Sequence, residues 1–291
     1  LPICEAEPHA LAALAQESAL HDHDHPHLAR AHYVLGELLD SVGRHAESHE
    51  QLIVALQMRE RMLGVDHPET AMSRVRLSTT LLALGRGDEA VQQAARAVAS
   101  VRGRSEPLLL AAALNELGGI HGDLHHLAEA RTAYEEALAL ERGVHPDGDP
   151  NQAIVISNLA RVASQQGDHV AALAGFEQAL TMRRAHVSGY DPLQSVFLTN
   201  AGRTLLDLGR NAEGLARLRE ALALSRDEEI SRHAVMAADR PAPAEARPGD
   251  SDHGDCAVAI VGIGCRFPGG VVDVASFWQL RSEERRVGKE C

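Results

Sequence analysis

The sequence predicts an all-α protein, a solenoid of stacked helix-turn-helix units. Two regularities carry that expectation. Proline falls at Pro26, Pro68, Pro107, Pro150 and Pro192, at intervals of 42, 39, 43 and 42. A turn marker stands between the prolines at Gly43, Gly85, His125, Gly167 and Gly209. Self-similarity at a period near 40 residues is the signature of a repeat architecture.

Each unit reads as two helices. Proline opens the first, where its missing N–H costs nothing. Asp149 and Asp191, each directly before a proline, are suited to cap the helix that follows. The glycine ends the first helix, where a left-handed residue is wanted; His125 is the departure. A second helix follows, and a polar loop such as "GVDHPET" leads to the next proline.

Small and apolar residues recur at fixed offsets from the marker. Seven positions before it stand Gly36, Ser78, Gly118, Ala160 and Gly202, and eight before it Leu35, Leu77, Leu117, Leu159 and Ala201. Twelve positions after it stand Ala55, Ala97, Ala137, Ala179 and Ala221. Small side chains let two helices approach closely, and the larger apolar residues fill the space between them. No unit can hide its apolar face alone, so the units must stack.

This pattern resembles the tetratricopeptide repeat in its 42-residue, kinesin-light-chain-like form, over about residues 1 to 224. The stretch "HALAALAQESAL" fits the second helix of a preceding unit, which predicts a chain cut at its front end. The solenoid domain is expected over 1–236, about five units and a partial first, with "SRDEEISRHAVMA" as a last polar-faced helix.

Composition narrows function. With 45% hydrophobic and 24% charged residues in 291, the chain reads as globular. A net charge of -13 argues against nucleic acid and against an anionic membrane surface. No apolar run reaches the length of a bilayer span. Cys4, Cys256, Cys265 and Cys291 lack metal or disulfide spacing and read as free thiols of a cytoplasmic protein. Aromatics make up only 3%, so Leu, Ala and Val must build the core.

The resemblance implies a protein or peptide partner on the concave face, which the first helices form. There "NLAR" at Asn158–Arg161 and "NAGR" at Asn200–Arg203 repeat in register. The i, i+3 spacing puts amide and guanidinium on one helix face. Amides can clamp a peptide backbone and arginines can hold a carboxylate. A solvated polar face is the competing reading of these four residues.

The run "HDHDHPH", His21 to His27, carries four imidazoles and two carboxylates and could capture zinc or nickel. Because "DHP" recurs at Asp66–Pro68 as an ordinary loop, His25 has a structural explanation, and no metal or other cofactor is expected. "HPDGDPNQ" lacks the sixth-position glycine of a calcium loop. No catalytic constellation stands out.

Beyond the repeats, residues 237–255 are rich in Pro, Ala, Gly and charge and read as a linker. "AVAIVG", Ala257 to Gly262, then opens a strand and a glycine turn, the start of an α/β domain. Gly262 and Gly264 fit a dinucleotide fingerprint, but Phe267 replaces its third glycine. "AVAIVGIGCRFPGGVVDVASFWQL" resembles the amino-terminal edge of a bacterial modular polyketide synthase β-ketoacyl synthase, in Arg266, Phe267, Pro268 and the Phe277–Trp278 pair. The resemblance implies a truncated, thiolase-like start over 256–280, and an acyl carrier protein as partner of the intact parent. That family's cysteine nucleophile and two histidines lie further along its domain; Cys265 belongs to the opening turn. "RSEERRVGKEC", residues 281–291, resembles a translated sequencing adapter. The expected whole is a catalytically inert interaction scaffold, the front part of a polyketide synthase, with a stand-alone peptide-binding adaptor as the alternative.

Overall fold

Helices follow one another along the whole of the described chain, and no strand occurs among the described residues. The computed structural model describes residues 3–187 and 191–238. The helices are α1 (Ile3–Leu20), α2 (Pro26–Ser41), α3 (His45–Leu63), α4 (Pro68–Ala83), α5 (Gly87–Val101), α6 (Pro107–Asp123), α7 (Leu127–Val144), α8 (Pro150–Gln165), α9 (His169–His186), α10 (Pro192–Asp207) and α11 (Asn211–Ala238).

The five repeat prolines each open a first helix, α2, α4, α6, α8 and α10. Asp149 and Asp191 cap as expected, accepting from the N–H groups of Asn151 at 2.7 Å and Leu193 at 3.1 Å. In the first two units the same task falls to histidine. Nδ1 of His25 accepts from the His27 N–H at 3.3 Å, and Nδ1 of His67 from the Glu69 N–H at 3.2 Å. Pro8 is different, lying inside α1.

All five turns close alike. The marker N–H donates to the carbonyl three residues back, and the next N–H to the carbonyl five residues back. Gly43 thus bonds Asp40 at 3.0 Å and Arg44 bonds Leu39 at 2.9 Å, and His125 and His126 do the same with Gly122 at 3.2 Å and His121 at 2.8 Å. This double bond set is the Schellman closure, and it needs a left-handed residue at the marker. The glycines have φ of +75° to +84°, and His125 takes +61°. Losing the glycine therefore leaves the turn unchanged and puts the strain on one histidine.

Within each unit the two helices meet over the predicted small positions. Ala55, Ala97, Ala137 and Ala179 are fully buried. A Cβ on Gly118 would lie 2.8 Å from the Tyr134 ring, and one on Gly36 would lie 2.7 Å from Leu52 Cγ. In these units, and at Gly202 under Leu218, the small residue of the first helix is the seat of a large residue from the second, whereas in the fourth unit Ala160 is met by Gly175. Neighbouring units then pack through consecutive helices. The backbone of each first helix also comes close to that of the next first helix, whereas second helices reach one another through long side chains, as α9 and α11 do in the pairs Arg184–Glu220 at 2.5 Å and Arg217–Glu177 at 3.6 Å. The first helices therefore line the inside of the curve.

At both ends the helices exceed expectation. Upstream of the predicted His9–Leu20 segment, α1 already begins at Ile3 and packs on α2. The predicted last helix is not separate but continues α11 to Ala238. The remainder of the 237–255 linker, the ketosynthase-like 256–280 and the tail 281–291 lie outside the described residues.

Sixteen positions after the marker, three units carry a polar residue, Arg59, Glu141 or Arg183, that lies against the start of the next first helix. Arg183 makes a buried two-point ion pair with Asp191, at 2.6 and 3.1 Å. Arg59 donates to Ser73 at 2.7 Å and pairs with Glu69 at 3.5 Å. In the third unit the seam residue is Glu141. Burial, and then the like charge of Asp149, push its carboxyl up to about 7.

Replacing His125 with glycine should relieve the left-handed strain and raise stability by about 1 kcal/mol, read as a shift in thermal midpoint. Glu141 should make stability fall with rising pH. Below about pH 4.5 it is protonated folded and unfolded; between there and about 7 the unfolded chain ionises first, so stability drops and then levels. Glu141→Gln should match the parent near pH 4.5 and exceed it above pH 7 by on the order of 2 kcal/mol, measured by denaturant titration at both values.

Candidate peptide-binding wall

The inner wall is built by turns of the first helices that face neither the second helix of their own unit nor the seam. Nine positions before the marker, the successive units present Val34, Arg76, Glu116, Asn158 and Asn200. The wall is thus polar from the second unit onward, and the polar groups touch across units.

Asn158 and Arg161 are both half-buried on α8. The Asn158 amide donates to Asn115 Oδ1 on α6 at 2.9 Å. Arg161 donates to Asp123 Oδ1 at 3.1 Å and to the Tyr134 hydroxyl at 3.2 Å. Tyr134 is fully buried, and burial raises its phenol to about 12, so it stays a neutral acceptor for Arg161. The Asn158–Arg161 pair is therefore anchored within the protein. On α10, Asn200 is half-buried and Arg203 is exposed, and neither side chain has a hydrogen bond or ion pair among the described residues. The fold puts the two pairs on one wall, on adjacent first helices, but in different states: one tied down, one open.

A second polar cluster lies nearer the front of the wall. Arg76 pairs with Glu37 at 2.6 Å. Burial works against its charge, but Tyr33, Glu37 and Glu116 around it raise it above the ordinary arginine value. Tyr33 in turn is raised to about 12 by burial, and the Arg59 guanidinium covers its ring at 4.6 Å. Glu116 is the most displaced carboxyl of the wall. Burial lifts it to about 7 against the pull of Arg76 and Asn115. These residues were missed because residues of like chemistry in the cluster do not recur at one repeat position. The signal available was positional: Arg76 and Glu116 occupy the register of Asn158 and Asn200.

Among the described residues no helix is long and apolar enough to cross a membrane. Glu17, His21 and His25 come together where α1 meets α2.

Two sequence profiles of the tetratricopeptide repeat match the chain, over residues 28–69 and 109–185. Comparison with curated protein sequences finds no match. Among solved structures, BtubC (BKLC) from P. vanneervenii is similar at 20% identity and a TM-score of 0.63, covering 87% of this chain and 100% of its own. The nearly identical TPR-like repeats of a protein from Podosopora anserina, described as a kinesin light chain, align at 21% identity and a TM-score of 0.57, covering 70% of this chain and 98% of their own. A point variant of that protein aligns with the same identity and score over 69% and 95%. At these identities the likeness concerns the fold, and it agrees with the matched profiles: the described chain is an all-helical solenoid of tetratricopeptide repeats.

Proposed function

We propose that the chain is a protein–protein interaction scaffold that holds an extended acidic peptide along the inner wall at α8 and α10. The observation that carries this reading is the open state of Asn200 and Arg203 beside the anchored Asn158 and Arg161. An anchored guanidinium is oriented in advance and loses little side-chain freedom when a ligand arrives. The exposed Arg203 supplies a two-point donor for a carboxylate. Asn158 and Asn200, one unit apart, offer amides to the backbone of the same peptide. A charge-assisted hydrogen bond contributes about 1.5–3 kcal/mol, so one such contact changes affinity at least tenfold. A random peptide display on the wild-type chain should enrich sequences with Asp or Glu. Arg203→Glu should weaken the enriched peptides at least tenfold; equal affinity for that variant, or enrichment without acidic residues, overturns the reading.

We further propose that the scaffold stands ahead of a β-ketoacyl synthase in a modular polyketide synthase. The sequence of Ala257 to Leu280 supports this, through the run "AVAIVG", the Arg266–Phe267–Pro268 triplet and the Phe277–Trp278 pair. In that setting the repeats would dock a partner protein or neighbouring module. The synthase would condense acyl thioesters delivered by an acyl carrier protein. The alternative is a stand-alone peptide-binding adaptor. Reading the gene downstream in uninterrupted genomic DNA separates them. A further coding stretch with a cysteine nucleophile and two histidines is the expected result, and a stop codon soon after Leu280 overturns it.

A further inference from the structure

We propose that Glu17, His21 and His25 form a zinc site that fastens α1 to the first complete repeat. Their ligand atoms, one from each residue, all lie within 4.8 Å of one another. Two come from one helix: Glu17 and His21 are four residues apart on α1, with the His21 Nε2 at 3.4 Å from a Glu17 oxygen. The third comes from the next element, since His25 is the cap of α2. The His21 and His25 rings are stacked, with centroids 3.5 Å apart and planes 12° apart. All three residues are half-buried, so they are partly ordered and still reachable from solvent.

The repeat explains only one of the three. His25 caps α2 as His67 caps α4, through Nδ1 and a backbone N–H. That use leaves Nε2 of His25 open to a ligand. One repeat further on, Glu17 corresponds to Arg59 and His21 to Leu63. Neither the acid nor the second imidazole is therefore required to build a unit. Glu17 occupies the seam register, where Arg59 and Arg183 make cross-unit contacts to Ser73 and Asp191. At this first seam an anion and two imidazoles face one another instead, and a cation completes the set.

The donor chemistry selects the ion. Two imidazoles and a carboxylate suit zinc and the late first-row divalent ions, and not calcium or magnesium, which take oxygen ligands. Ligands of a tetrahedral zinc lie about 3.3 Å apart, so the trio must contract by an amount that side-chain torsions can supply. His27 is the nearest candidate for the fourth position, with Nδ1 at 3.9 Å from a Glu17 oxygen; water is the alternative.

The test is a calorimetric titration of zinc chloride into the tag-free full chain, with circular dichroism of every variant. The expected result is one equivalent bound with a Kd on the order of micromolar or tighter, and a thermal midpoint that rises with zinc concentration. His21→Leu, which installs the residue of the next repeat, and His25→Asn, which keeps a cap, should each weaken binding beyond the roughly 10–100-fold that loss of an outer partner costs. His67→Asn should leave binding unchanged. No heat at tens of micromolar protein, several weak equivalents, or affinity undiminished in both His21→Leu and His25→Asn would overturn the proposal.

Discussion

The close approach of the two helices inside each unit is the constraint on which the rest of the structure depends. It is set by the alanines twelve positions after the marker, four of them fully buried, and by a small first-helix residue under a large second-helix one. Close approach matters because this chain has few aromatics to span a wider gap. Leu, Ala and Val fill space to crystal-like density only when backbones are near each other. The Schellman turn makes the approach possible, because it reverses the chain in very few residues while satisfying the last carbonyls of the first helix. Where glycine is absent, at His125, the fold keeps the turn rather than the preferred backbone of the residue, which shows the relative strength of the two demands.

Curvature follows from which helices touch. First helices approach one another backbone to backbone along the stack, while second helices stand further apart and meet through long side chains, so the wall facing inward is made of one helix type. A wall of that kind sees the same register position five times over. It can therefore gather side chains far apart in sequence into one line, as it does with Arg76, Glu116, Asn158 and Asn200. The cost of burying polar groups, on the wall at Glu116 and at the seam at Glu141, is visible in their ionisation. Glu116 and Glu141 are both raised to about 7 by burial, against carboxylates on the outer surface that arginines hold below their usual range, such as Glu47, Glu89 and Glu213. A buried carboxyl that stays neutral is tolerated; a buried unpaired charge is not.

Much of the fold was legible because the repeat marks its own landmarks with residues of special backbone chemistry. The five repeat prolines and the four marker glycines were enough to place nine helix ends, five starts and four closes. The caps Asp149 and Asp191 were legible for the same reason. The wall was only half legible. Asn158, Arg161, Asn200 and Arg203 stood out because they recur in kind, while Arg76 and Glu116 share a place and nothing else. That Asn158 and Arg161 are held by Asn115, Asp123 and Tyr134 could not be read from spacing, because those partners come from two other helices. Glu17 was overlooked beside "HDHDHPH" for a related reason: its closeness to His21 is helical and its closeness to His25 depends on how α1 enters the stack.

The seams show how one architecture can be strong in one place and yielding in another. Stability in a stacked solenoid is close to a sum of unit terms and nearest-neighbour terms, so each seam acts largely by itself. At Arg183 and Asp191 the seam is a buried ion pair with two hydrogen bonds, and the same aspartate also caps α10. At Glu141 and Asp149 two acids face each other, and one oxygen of Glu141 is buried without a partner. The two seams flank the α8–α9 unit, whose first helix carries Asn158 and Arg161. The anchored half of the wall is thus tied to the unit before it through Asn115, Asp123 and Tyr134, and to the unit that carries Asn200 and Arg203 through the Arg183–Asp191 seam. A ligand spanning α8 and α10 would cross a seam closed by a buried ion pair.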